Sequence, residues 1–185
     1  MRSTAPAIVL LVLGLVVLPS TRAASRPSSD VEYLLKAQFL ERITRFVDWP
    51  EEALPRDERL VVGTLGDSPL GAHLKDLARR RRFKRRPTVV WNLRSPRQAV
   101  QCQVLFIAGG ERKRLKEVLR LVQDTPVLTV ADSQGFAALG VQVNLYLDDG
   151  HLRFEVNMQA VARSGLHLRS KLLRLARFVG PGAAP

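Results

Sequence analysis

The sequence predicts a single α/β domain: a mixed central sheet of about six strands, flanked by helices, with a late antiparallel hairpin. Three observations carry this. Short β-branched runs alternate with helix-period stretches from residue 60 to residue 132, the signature of strand–helix–strand units. The early strands LVVGTLG, QVLFIAGG and PVLTVAD are apolar throughout, so helices must cover both sheet faces. Two alternating strands, 141–147 and 151–157, flank Asp148-Asp149-Gly150, which has hairpin turn chemistry. The 185 residues suit one domain, and 46% hydrophobic with 25% charged content is that of a globular chain.

The N-terminus precedes this domain. Arg2 is followed by an uncharged apolar run, Ala5 to Leu18, and then Thr21-Arg22-Ala23, with small residues at the two positions a signal peptidase reads. The pattern predicts a secretory signal peptide over 1–23. The run is shorter than the ~18–20 residues a spanning helix needs, which disfavours a retained anchor, and no cysteine lies near the cut to make a lipoprotein. Residues 24–29 form a polar leader, 30–180 the domain and 181–185 a tail.

Within the domain, Asp30 caps a predicted helix running to about Asp48, closed by Trp49-Pro50. Leu35, Phe39, Leu40, Ile43, Phe46 and Val47 share its apolar face, with Glu41, Thr44, Arg45 and Asp48 opposite. The strand at 60–66 leads through Asp67-Ser68-Pro69 into a helix ending near Ala78 or Arg80. PTVVWNL (87–93) and 103–110 are strands, GERKRLKEVLRLVQD (110–124) a helix, and 126–132 a strand. After the hairpin, Met158 to Val179 reads as helix in two pieces broken at Gly165. Leu168, Leu172, Leu173, Leu175, Ala176 and Val179 form an apolar face there, opposed by Lys171, Arg174 and Arg177.

The formal charge is +12, and 23 of the 29 basic residues are arginines spread along the chain. The densest run is RRRRFKRR (79–86), with seven cations in eight residues. An exported protein does not meet nucleic acid, so the run predicts an exposed helix–strand connection with Phe83 as its anchor. Anionic lipid headgroups or acidic partner surfaces are the remaining counter-charges. Cys102 is the only cysteine, so no internal disulfide can form. Its apolar setting predicts a buried thiol, the alternative being an intermolecular disulfide.

No catalytic motif emerges. His73, His151 and His167 lack metal-ligand spacing, and nucleophile elbow, zinc-hydrolase and phosphate-loop patterns are absent, so neither metal, cofactor nor enzyme activity is expected. Three loops follow predicted strands: Gly66-Asp67-Ser68, Gly109-Gly110 and Asp132-Ser133. Such strand ends can form a ligand crevice in an α/β sheet, although Gly, Asp and Ser also make ordinary turns and caps.

Five stretches taken together resemble the YfiR family: KAQFLERITRFVDWP (36–50), VVGTLGDSPLG (61–71), CQVLFIAGG (102–110), GVQVNLYLDDGHLRFEVN (140–157) and ARSGLHLRSKLLRLA (162–176). The resemblance extends from about Val31 to Phe178. It implies a small periplasmic regulator without catalytic residues. Its partner would be the periplasmic domain of an inner-membrane diguanylate cyclase, whose repression lowers cyclic di-GMP and disfavours biofilm growth. Some relatives carry disulfides tied to redox response, which this chain cannot form internally. Arg169, Lys171, Arg174 and Arg177 are the candidate partner contacts. The reading leaves open a homodimer and contact with an anionic membrane surface. The competing reading is a periplasmic small-ligand sensor, built on the three loops and serving a histidine kinase or transporter.

Overall fold

The computed structural model describes residues 29–180, so the signal-peptide expectation lies outside the described residues. The chain runs α1 (Ser29–Thr44), β1 (Val47–Asp48), β2 (Leu60–Leu65), α2 (Leu70–Arg80), β3 (Thr88–Leu93) and a 3₁₀ segment (Pro96–Gln101). It continues through β4 (Val104–Ile107), a second 3₁₀ segment (Gly109–Arg114), α3 (Leu115–Val122) and β5 (Leu128–Ala131). The last part is β6 (Val143–Asp148), β7 (His151–Val156), α4 (Met158–Arg163), β8 (His167–Leu168), α5 (Ser170–Leu173) and β9 (Arg177–Phe178).

Seven strands form one mixed sheet in the order β3-β2-β4-β5-β6-β7-β9, and β1 pairs antiparallel with β8 as a separate ribbon. The steps from β3 to β6 are parallel, and β6–β7 is the expected antiparallel hairpin. Its turn places Asp149 and Gly150 at φ 47° and 76°, the left-handed pair a two-residue hairpin loop requires. β2, β4 and β5 are buried along their whole length, as their unbroken apolar sequences require. Val62, Val104, Phe106 and Val130 pack with α1 and α2 on one face. Val61, Leu105, Ile107 and Ala131 pack with Leu115, Val118 and Val122 of α3 on the other.

Three expectations are corrected. First, α1 stops at Thr44, and its buried stripe is Lys36, Ala37, Leu40, Glu41, Ile43 and Thr44. Glu41, placed on the solvent side by the helical wheel, is 2% exposed, while Leu34 and Leu35 are exposed. A wheel scores apolarity alone, whereas here the buried charges are neutralised by Asp132, Glu32 and Arg45. Second, the helix expected from 110 begins as 3₁₀ and becomes α-helical only at Leu115. Third, the C-terminal segment is not a pair of amphipathic helices. Gly165 breaks it at φ 71° as expected, but beyond it lie two-residue strands on either side of a single helical turn. β8 is captured by β1 and β9 by β7, so Leu175 is exposed instead of completing an apolar face. β9 therefore forms the edge of the sheet beyond β7.

Candidate functional site

The order β3-β2-β4 makes the chain step outward from β2 to β3, then return past β2 to β4. The connections leaving β2 and β4 diverge, and the carboxyl ends of these strands border the crevice where open α/β sheets bind ligands. A cleft of about 370 Å³ lies there. Gly66, Asp67 and Ser68 form one wall, Asn92 and Arg94 another, and Lys75, Glu111 and Arg114 the rest of its polar lining.

Local packing explains the loop sequence. Gly66 has φ 85°, and a Cβ on it would stand 2.8 Å from Glu111 Cγ and 3.1 Å from the Ala108 Cβ. Glycine is required both for the left-handed backbone and for the close approach of the β4 loop. The Leu70 amide donates to Ser68 Oγ at 3.3 Å, opening α2. Thr64 Oγ1 donates to Asn92 Oδ1 at 3.1 Å, orienting the amide at the end of β3.

Lys75 and Arg94 form no ion pair among the described residues, whereas Arg114 lies 3.4 Å from Glu111 and 4.0 Å from Glu117. The Glu111 side chain is largely buried, and its Oε2 accepts no hydrogen bond. The cleft thus carries two cations free of ion pairs among the described residues, beside a carboxylate whose Oε2 faces Arg114 without a hydrogen bond. No group of three or more His, Cys, Asp or Glu side chains that could hold a metal occurs among the described residues.

The sequence-predicted residues divide. Gly66, Asp67 and Ser68 line the cleft; Gly109, Gly110, Asp132 and Ser133 do not. A Cβ on Gly109 would meet Ser133 Oγ at 2.5 Å, so those two loops touch each other beside the cleft. Asp132 accepts from Lys36 at 2.7 Å and so anchors α1. Lys75, Asn92, Arg94, Glu111 and Arg114 were not foreseen. They lie on three separate stretches of chain, and only the strand order brings them together.

The candidate partner contacts do not share a helix face. Arg169, between β8 and α5, donates twice to Asp48, at 2.9 Å each. Arg177, on β9, is bonded to the nearly buried Glu155 and stacks over Tyr146. These bonds hold both guanidinium pKa values above the usual arginine range. Lys171 and Arg174 are free of ion pairs among the described residues.

In RRRRFKRR, Phe83 is fully buried, as expected. Lys84 donates to the Val47 carbonyl at 2.6 Å, and Arg86 bonds the carbonyls of Leu54, Pro55 and Glu58. Arg79 pairs with Asp76, leaving Arg80, Arg81, Arg82 and Arg85 as uncommitted cations among the described residues. Cys102 is 3% exposed, and burial pushes its thiol up to about 11. This is the buried setting expected, and it works against the alternative of an intermolecular disulfide.

A family model described as YfiR/HmsC-like matches residues 33–177. Among solved structures, the chain is similar to an ABC domain from Streptococcus pneumoniae, described as a complex with L-Trp, with a TM-score of 0.51 at 9% identity. The match covers 80% of this chain and 60% of that one, so the likeness is one of fold.

Proposed function

The chain belongs to the YfiR/HmsC-like family, and from that membership we propose that it is a periplasmic regulator of an inner-membrane diguanylate cyclase. It binds the cyclase's extracytoplasmic domain and lowers cyclic di-GMP. The family match across 33–177 carries this reading. The family is regulatory, and no chemical step is assigned to the chain. No helix among the described residues is long and apolar enough to cross a membrane.

Repression requires unequal affinity for two states of the partner, since a ligand that binds both equally shifts nothing. Holding a cyclase 99% inactive against an even intrinsic balance takes roughly a hundredfold preference. Two measurements test the reading. The mature protein should capture a membrane cyclase in a pull-down, and deleting the gene should raise cyclic di-GMP and surface attachment. Unchanged cyclic di-GMP together with no cyclase captured would sink it.

The cleft beside β2 and β4 favours a second reading, a small-ligand sensor serving a histidine kinase or transporter. The similar solved domain is described with bound L-Trp. For this chain, the uncommitted Lys75 and Arg94 favour a ligand with an acidic group. A thermal-shift screen of small carboxylates supports the sensor if one raises the melting temperature in wild type but not in Lys75→Ala. No shift across the set removes it.

A further inference from the structure

β3 is an edge strand of the seven-stranded sheet, and among the described residues only β2 pairs with it. The Leu60 amide donates to the Pro87 carbonyl at 2.8 Å. In a parallel ladder that register turns the amides of Val89 and Trp91 toward β2 and leaves those of Val90 and Asn92 facing outward. The Trp91 carbonyl oxygen lies 3.3 Å from Thr64 Oγ1 on β2, which agrees with that orientation. An open row of backbone donors and acceptors is a template for another strand.

The surroundings specify what that strand is. A groove of about 390 Å³ runs between α2 and the β3 edge, with Lys75 and Arg79 on the helix side. Trp91 lies on the same edge strand and is 40% exposed. The uncommitted Arg80, Arg81, Arg82 and Arg85 precede the strand, and Arg94 follows it. They stay close to its start because Phe83, Lys84 and Arg86 are bonded into the core. Lys84 and Arg85 hold left-handed backbone at φ 50° and 64°, an unusual conformation for two successive non-glycine residues. A second copy of this chain would bring the same cations against one another. A lipid surface would engage the arginines but leave the backbone row unpaired.

The geometry points to β3 as a docking edge that receives an extended, acidic segment of the partner protein as an added strand beside α2. Main-chain pairing supplies affinity, Trp91 an apolar contact and the arginines the selection for negative charge. This assignment rests on the regulator reading above and names the surface the regulator uses.

Hydrogen exchange on the mature protein, alone and with the periplasmic domain captured in the pull-down, tests it. The Val90 and Asn92 amides should exchange at least about tenfold more slowly in the complex. Asn92→Pro removes an outward amide that the β2 ladder does not use, and should weaken capture about tenfold or more. Arg81→Glu with Arg82→Glu and Arg85→Glu should do the same at an unchanged melting temperature. Capture with β3 exchange unaltered overturns the edge assignment and leaves the regulator reading standing, whereas no capture by the wild type overturns both. If phosphatidylglycerol vesicles bind in place of the protein domain and β3 stays unprotected, the cations serve lipid and the assignment fails. Concentration-dependent protection of β3 in the protein alone gives the edge to a second copy, which also overturns it.

Discussion

Lys36 sits on α1 at 4% exposure, between Glu32 one turn earlier, at 2.6 Å, and Asp132 at the end of β5, at 2.7 Å. Burial opposes its charge, but the bonds to Asp132 and Glu32 outweigh that and hold its pKa above the usual lysine value. A raised pKa means the stabilisation is complete below the ordinary lysine range and is lost as pH rises through the folded value. Lys36→Met strands Asp132 in a buried setting, and urea unfolding should show a loss of about 3–5 kcal/mol. Adding Asp132→Leu should restore part of it, because removing both charges also removes the desolvation cost. Cys102 is a quieter case: its Sγ stands 2.6 Å from where a Cβ on Gly63 would lie. The glycine makes room for the sulfur, and the thiol stays protonated at neutral pH.

RRRRFKRR combines anchored and free residues within one connecting segment. Composition marks all seven cations alike, yet only Lys84 and Arg86 carry structure, because they meet main-chain carbonyls contributed by residues 47 and 54–58. Phe83→Ala should cost about 3–5 kcal/mol in chemical denaturation, as expected for emptying a fully buried aromatic site. Arg81→Gln and Arg85→Gln should stay within about 0.5 kcal/mol, as exposed substitutions do. The C-terminal elements were the least legible. Periodicity reports a helix when neighbours one turn away share an environment. β8 and β9 are two residues long, and β1 and β7 determine them from elsewhere in the chain. A single-turn α5 leaves too little chain for a wheel to read.

Across the whole molecule, Asp48 ties distant parts together: it accepts from Arg169 across 121 residues, and from Lys84 in the cationic turn. The Arg169 bonds, more than the Lys84 bond, hold its pKa below the usual carboxylate value. A lowered pKa gives stabilisation that is present above the ordinary aspartate range and lost as pH falls through the folded value. Arg169→Ala should therefore move the Asp48 titration upward toward its ordinary value by carboxyl NMR. It should also flatten the acid limb of the stability curve below about pH 4, near the ordinary aspartate pKa. If that titration does not move, the pair is not formed in solution.

The sequence alone determined the central architecture. Unbroken apolar runs forced β2, β4 and β5 to be covered on both faces, and Asp149-Gly150 specified a tight hairpin. These features depend on residues adjacent in the chain, where side-chain type and backbone preference act directly. One wall of the cleft, Gly66 to Ser68, was legible for the same reason. Tertiary structure decided the rest: the return past β2 that opens the cleft, the burial of Lys36 and Glu41, and the capture of β8 and β9. It also decided which arginines are anchored and which remain free beside the open edge of β3. Charge neutralisation and strand pairing both need a partner, and in these cases the partner lies outside the local stretch that sequence reading inspects.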